Sequence, residues 1–332
     1  MNYKLIFLCL CCLFALNVNA QHKKQVNIIF DSDMGPDYDD TGAITILHAL
    51  ADSGQANILA TMASTKYEGV AGVLDVFNTY FKRPNIPVGV PTGYALELRD
   101  FQHWTDTLLA KYPHKIKTNA EAKDAVKLYR KILAAQPDKS VTIVTVGFLT
   151  NLSNLLNTKG DEYSKLSGRE LVSKKVKLLV CMAGKFPAGF EFNVMQDAKA
   201  SQNVYTYWPT QIILSGFEIG QKIHVGIPLI HNQAIRNDPT KDVFALSIPK
   251  AKEDSAGRMS WDETAVLIAI KGYSKYYTLH PGHMKVADDG SDSWDDSGKG
   301  QAYLVEKVDY RAVEKVINDL IRHQPVEVKG KR

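Results

Sequence analysis

Val26-Asn27-Ile28-Ile29-Phe30-Asp31-Ser32-Asp33-Met34-Gly35-Pro36-Asp37-Tyr38-Asp39-Asp40 runs from an apolar, β-branched stretch straight into five carboxylates within ten residues. Val26–Phe30 predicts a buried strand, Gly35 and Pro36 a loop, and the amphipathic run from Thr41 to Leu50 a helix. In an open parallel sheet ligands bind outside the carboxyl ends of the strands, which is where this acidic loop falls. Carboxylates this close repel one another, and a hard cation with oxygen ligands neutralises such a group. A solvated surface loop is the usual fate of a charge run. Here, however, the acids lie between a buried-type strand and a buried-type helix. An EF-hand does not fit, because its calcium loop needs Gly at the sixth position and Glu at the twelfth. Counted from Asp31, those positions hold Pro36 and Gly42.

An Asp-x-Asp pair after a first strand also resembles the haloacid-dehalogenase-like phosphatases. That family wants Thr or Val where this chain has Gly35, and it offers no role for Asp37, Asp39 and Asp40. It is the lesser reading.

Residues 1–20 have the shape of a secretory signal: Lys4, an apolar core from Leu5 to Leu16, then Val18-Asn19-Ala20 as a small-residue cleavage site. Export to the periplasm or beyond is expected, with cleavage near Ala20. Cys9, Cys11 and Cys12 fall inside that signal, so the mature chain keeps only Cys181 and forms no internal disulfide. Stability must then come from a core, and a chain of this length buries roughly three quarters of its unfolded surface. The net charge of +4, with both signs interspersed, gives no sign of a nucleic-acid or membrane-surface partner.

Further buried-type strands are expected at Ile58–Met62, Ile86–Val90, Val141–Val146, Val176–Met182 and Gln211–Leu214. Helical patterns separate them. One spans Asn119 to Ala135 behind a Thr118/Glu121 capping box, and another carries Val313, Val316, Ile317, Leu320 and Ile321 after Asp309. This alternation predicts an α/β fold: an open, mostly parallel sheet with helices on both faces and a Rossmann-like core. Residues 21–332 read as a single domain. Residues 225–260 look like a lid or insertion, and residues 281–300, with the Asp288–Asp296 acids, like a solvated polar loop.

Four motifs in order resemble the inosine-uridine-preferring nucleoside hydrolase family. The opening Asp31-Ser-Asp33-Met-Gly35-Pro-Asp37-Tyr-Asp39-Asp40 is similar to that family's D-x-D-P-G-x-D-D, with Met34 for Pro and two extra residues. Val146-Gly147-Phe148-Leu149-Thr150-Asn151 resembles its G-x-L-T-N, where the residue before Gly offers a carbonyl to calcium. Glu191-Phe192-Asn193 matches E-F-N, whose acid and amide hold ribose hydroxyls. Trp261-Asp262 stands where the family has His-Asp, and Ser64-Thr65 and Lys185 replace asparagine-bearing positions.

The resemblance implies calcium-dependent hydrolysis of a ribonucleoside to free base and ribose. It assigns Asp33, Asp40, the Val146 carbonyl and Asp262 to Ca²⁺, Asp33 to accepting the proton of the attacking water, and Asp39, Glu191 and Asn193 to the substrate; Trp261, a departure from the family histidine, is read as stacking on the base. Without the family histidine the general acid is open among Tyr38, Glu263, His280 and His283. Two alternatives stand beside this one: the same fold acting on another ribosyl or glycosyl substrate, and a binding protein for nucleosides or sugars without turnover. The subunit count is open, a homo-oligomer included.

Overall fold

The structure, a computed structural model, describes residues 25–326; the secretory signal expected at 1–20 lies outside the described residues. The strands are β1 (Val26–Ser32), β2 (Ala56–Ala63), β3 (Val88–Val90), β4 (Lys123–Asp124), β5 (Val141–Thr145), β6 (Val176–Met182), β7 (Ala188–Gly189), β8 (Gln211–Ser215), β9 (His224–Val225), β10 (Arg258–Met259), β11 (Tyr277–Val286), β12 (Asp292–Asp295) and β13 (Gln301–Glu306). Eleven of them form one sheet in the order β4-β3-β2-β1-β5-β6-β8-β13-β11-β12-β7, and β9 pairs with β10 apart from it. From β4 to β13 every pairing is parallel. β11, β12 and β7 complete one edge antiparallel.

The chain builds outward from β1 through β2, β3 and β4, then returns to place β5 on the other side of β1. That reversal makes a topological switch point between β1 and β5, the crevice where open α/β sheets bind ligands. Asp31 pairs with Met62 of β2 and Thr145 of β5, so the acidic loop leaves the sheet inside that crevice.

A strand covered on both faces must be apolar on both. Ile28 and Phe30 join the core on one face, with Leu47, Val73, Val266 and Ile317 of the helices Asp39–Asp52, Val70–Tyr80, Trp261–Lys271 and Tyr310–Leu320. Ile29 joins the other, with Tyr129, Leu152, Val172 and Val204 of Ala125–Ala135, Thr150–Leu156, Gly168–Lys175 and Ala198–Tyr207. The helix Trp261–Lys271 is wedged between Asp39–Asp52 and strands β5, β6 and β8. It is buried from Asp262 to Ile270, which is why Ala265-Val-Leu-Ile-Ala-Ile270 has no polar face. No described helix is long and apolar enough to cross a membrane.

The α/β class, the parallel sheet and all six expected strands are as the sequence predicts, as is the C-terminal helix capped by Asp309. Two expectations are corrected. Asn119–Glu121 is a single 3₁₀ turn and the helix begins only at Ala125, capped by the Asp124 side chain rather than by Thr118. Long-range bonds decide this: the Asn119 amide donates to the Lys66 and Tyr67 carbonyls and its oxygen accepts from Ala71 N. Residues 281–300 are only in part a solvated loop: Asp288, Asp289 and Asp296 are exposed in turns, as expected. The segment forms most of the β11–β12 hairpin, with Asp292 buried and accepting from Lys185 N at 2.9 Å. Residues 225–260 fold as short helices whose Leu229, Val243, Phe244 and Ile248 enter the main core.

Candidate active site

Side chains alternate along β1, so its last residues serve opposite faces. Asp31, on the Ile29 face, accepts from the Tyr129 hydroxyl at 2.7 Å and the Asn151 amide at 3.1 Å. It ties β1 to two helices, and burial pushes its carboxyl up to about 7. Ser32, on the other face, donates to Asp40 Oδ1, which also accepts from Met34 N at 3.1 Å. Met34 (φ 47°) and Gly35 (φ 112°) both lie in left-handed space, folding the loop back over the start of the helix Asp39–Asp52. Asp39 and Asp40 occupy the first turn of that helix, where its dipole favours negative charge.

β5 supplies the opposite wall. Gly147 packs so closely that a Cβ there would lie 2.4 Å from Asp33 N and 2.6 Å from Ser64 Oγ. Ser64 Oγ accepts from Phe148 N at 3.0 Å, and Thr65 donates to the Leu96 carbonyl, so both residues serve the backbone. The Val146 carbonyl accepts from Asn193 Nδ2 at 3.2 Å. A carbonyl oxygen has a second lone pair to offer.

Asp33, Val146, Asp262, Glu191 and Asn193 line one cavity of about 290 Å³, walled by Phe192, Phe217 and Trp261. Glu191 caps the short helix Phe192–Gln196, accepting from Asn193 N, Val194 N and Gly184 N. Burial pushes its carboxyl up to about 7 against those three donors. Asn193 spends Nδ2 on the carbonyls of Val146 and Met182, which leaves its Oδ1 for a ligand hydroxyl. Trp261 packs on Phe217, ring centroids 5.2 Å apart, and its indole N–H donates to the Phe217 carbonyl at 2.8 Å.

Asp39 also lines the cavity, but both its oxygens are engaged. One accepts from Arg258 Nε at 3.0 Å and Nη2 at 2.8 Å, the other from Trp261 N at 3.2 Å and Asp262 N at 3.3 Å. The residue expected to hold substrate thus holds the start of the helix that presents Trp261 and Asp262.

Burial first, then the neighbouring carboxylates, pushes Asp33 and Asp262 well above the ordinary range; Asp40 is pushed up to about 6, by burial and then by Asp39. Among the described residues no Lys, Arg or His forms an ion pair with any of the three; Arg258 pairs instead with Asp37, Asp39 and Asp254. Three desolvated like charges and a carbonyl are an all-oxygen donor set, the chemistry a hard divalent cation prefers. Asp33, Asp262 and the Val146 carbonyl line the cavity and fit such an ion; Asp40 does not line it and accepts from Ser32, Met34 N and Gly35 N, and among the described residues no three acidic, His or Cys side chains are drawn together at metal-holding distances.

Of the residues considered as general acid, none lines the cavity. The Tyr38 hydroxyl donates to Asp254, Glu263 accepts from Ser260 Oγ behind Gly42, and His280 of β11 pairs with the exposed Asp296. His283 sits on the same strand, opposite Asp295 of β12. Arg258 is a charged cavity-lining residue that the sequence reading missed. Its signal was charge balance: an arginine three residues before Trp261, in a chain whose opening motif has acids in excess.

The sequence model of the family described as inosine-uridine preferring nucleoside hydrolase matches residues 28–315. A pyrimidine-specific ribonucleoside hydrolase, RihA, of Salmonella enteritidis is 28% identical over 228 residues, 66% of this chain and 68% of that one. A purine-preferring ribonucleoside hydrolase from Gardnerella vaginalis superposes with a TM-score of 0.70 at 18% identity, covering 89% of this chain and 99% of that one. A plant nucleoside hydrolase, PpNRh1, does so at 0.68 and 19%, covering 90% and 99%. A match across nearly all of the described fold, with the acidic loop at the switch point, places the chain in the inosine-uridine preferring nucleoside hydrolase family, hydrolases of N-glycosyl bonds.

Proposed function

We propose that the chain hydrolyses the N-glycosidic bond of ribonucleosides with Ca²⁺ held by Asp33, Asp40, the Val146 carbonyl and Asp262. The observation that carries this is the pair of buried carboxylates Asp33 and Asp262, unpaired with any cation among the described residues, in the cavity that they share with Val146, Glu191 and Asn193. Bound by these residues, a divalent cation would supply fixed positive charge for orienting a water and the ribose diol. Glu191 and the Asn193 Oδ1 hold ribose hydroxyls, and Trp261 stacks on the base. Asp33 takes the proton of the water that attacks the anomeric carbon. As the bond to the base breaks, positive charge grows on the sugar, and the surrounding carboxylates stabilise it more than the neutral ground state.

A second reading, cleavage of another ribosyl or glycosyl substrate, draws on Ser64 and Thr65, whose hydroxyls are spent on the backbone rather than on a sugar. The apolar run Leu5–Leu16 supports export of the mature chain.

The test incubates residues 21–332 with purine and pyrimidine ribonucleosides, with calcium or with chelator, beside Asp33→Asn. Calcium-restored release of base and ribose that falls at least ~10³-fold in the variant supports the hydrolase. Release unaffected by chelator removes the metal from the reading. Calcium binding by calorimetry with no nucleoside cleaved moves the weight to the second reading.

A further inference from the structure

We propose that the Nη1 amino group of Arg258 is the hydrogen-bond donor that receives the departing base, an inference that rests on the hydrolase reading. Arg258 is 7% exposed and is the one cation among the described residues lining the cavity. A guanidinium carries five N–H donors. Nε donates to Asp39 at 3.0 Å, and Nη2 donates to Asp39 at 2.8 Å and to Asp37 at 2.5 Å. Nη1 makes no hydrogen bond among the described residues; its nearest carboxylate, Asp254 Oδ2, is 3.6 Å away and already takes the Tyr38 hydroxyl.

Nη1 is not among the buried atoms left without a partner, so it is open to solvent on a residue that lines the cavity, and a ligand there meets a donor that no protein group takes. The group is held for that purpose rather than left to wander: its carbon lies 4.9 Å from the Tyr38 ring centroid and 5.0 Å from that of Trp261. Other donors near the base wall are spent. The Trp261 indole N–H belongs to the Phe217 carbonyl, and Trp261 N and Asp262 N belong to Asp39.

Burial alone would weaken the guanidinium's hold on its proton, yet Asp37, Asp39 and Asp254 keep it firmly charged. Arg258 therefore donates a hydrogen bond and not a proton. In the step, the bond from the anomeric carbon to the base nitrogen breaks and its electron pair stays on the nitrogen. The water oxygen bonds to the carbon, and the water proton passes to Asp33. The base leaves with its charge spread over its ring, accepts the Nη1 hydrogen bond, and takes a proton from solvent after release. Because the bond to Nη1 strengthens only as that charge develops, it lowers the barrier rather than tightening substrate binding.

The experiment compares two leaving groups on the calcium-loaded enzyme, residues 21–332: ribonucleosides, whose bases are poor leaving groups, and p-nitrophenyl riboside, whose phenolate needs little help. Arg258→Lys keeps a charge against the three acids, and Arg258→Gln removes it; circular dichroism melts establish that each is folded. Loss of one pre-placed donor of this kind lowers kcat by roughly 10²–10³-fold. We expect that loss on nucleosides in both variants, with KM little changed, and a fall on p-nitrophenyl riboside several-fold at most. Equal losses on both substrates would make Arg258 a structural support of Asp39 and overturn the inference, and so would full nucleoside turnover in either variant. If both variants are unfolded, the wild-type rates decide: a steep fall of kcat with rising leaving-group pKa overturns it, and a shallow one upholds it. If wild-type enzyme cleaves p-nitrophenyl riboside but no nucleoside, the nucleoside reading fails and the inference with it; if it cleaves neither, the hydrolase reading itself has failed.

Discussion

Gly147→Ala tests whether the close approach of β5 to the acidic loop builds the site. A Cβ at residue 147 would lie 2.4 Å from Asp33 N, and ordinary contact begins at 3.4 Å, so the two strand ends must part by about 1 Å. The obstruction is backbone on one side and the Ser64 hydroxyl on the other, so no flexible side-chain tip can swing away. Overpacking of this kind costs about 1–3 kcal/mol, which for a chain of this size lowers the melting temperature by roughly 2–5 °C. The functional loss is larger. Separating Val146 from Asp33 by about 1 Å pulls apart two oxygens assigned to one cation, and a misplacement of that size costs on the order of 10²-fold in rate. Steady-state kinetics over a calcium titration, with melts in parallel, read both effects. Gly93→Ala serves as control, since nothing lies within 4 Å of its Cβ position. A Gly147→Ala enzyme with wild-type kcat, wild-type calcium dependence and an unchanged melt would refute the reasoning.

His48 is buried with Nδ1 unpartnered, stacked 4.7 Å from Phe81 and linked to Asn78, and burial first, then Arg83, lowers its pKa to about 3. Its folded pKa lies below the unfolded value of about 6.5, so the unfolded chain binds the extra proton, and stability present above pH 6.5 drains away as pH falls towards 3. The part carried by His48 is about 2–3 kcal/mol between pH 7 and pH 4.5, and urea melts of His48→Gln should lack that part of the slope. Trp261→Ala removes the stacking face of the cavity, worth about 1–3 kcal/mol per base, so kcat/KM for nucleosides should fall roughly 5- to 150-fold. Trp261→Phe should recover most of it, and an unchanged order of base preference in both variants would show that Trp261 does not select the base.

What the sequence made legible was local. Val26–Phe30 and the other parallel strands read as continuous apolar runs because both sheet faces are covered, and the acidic loop read as the carboxyl end of the first of them, but the switch point there came only with the strand order of the sheet. The β11–β12 hairpin stayed hidden because it lies at an edge, where Pro281 and Gly282 interrupt the alternation and the turn is acidic. Arg258 stayed hidden for another reason: its partners Asp37 and Asp39 are 221 and 219 residues away, and no spacing rule spans that gap.

The pair Asp39-Asp40 shows where reading a motif must stop. Two adjacent residues on a helix project about 100° apart, so they cannot both face one ion. Asp40 turns to Ser32 and Met34 within the loop, while Asp39 turns to Arg258 and the backbone of Trp261 and Asp262. The motif announces two acids, but only the helix geometry divides their work. It also joins them, because the residue that fixes Asp262 and the residue that stands against Asp33 are one peptide bond apart. A shift in the Asp39–Arg258 pair must therefore be felt at the carboxylates assigned to calcium, and Arg258→Lys should raise the calcium concentration needed for half-maximal activity. An unchanged requirement would mean that the two halves of the site move independently.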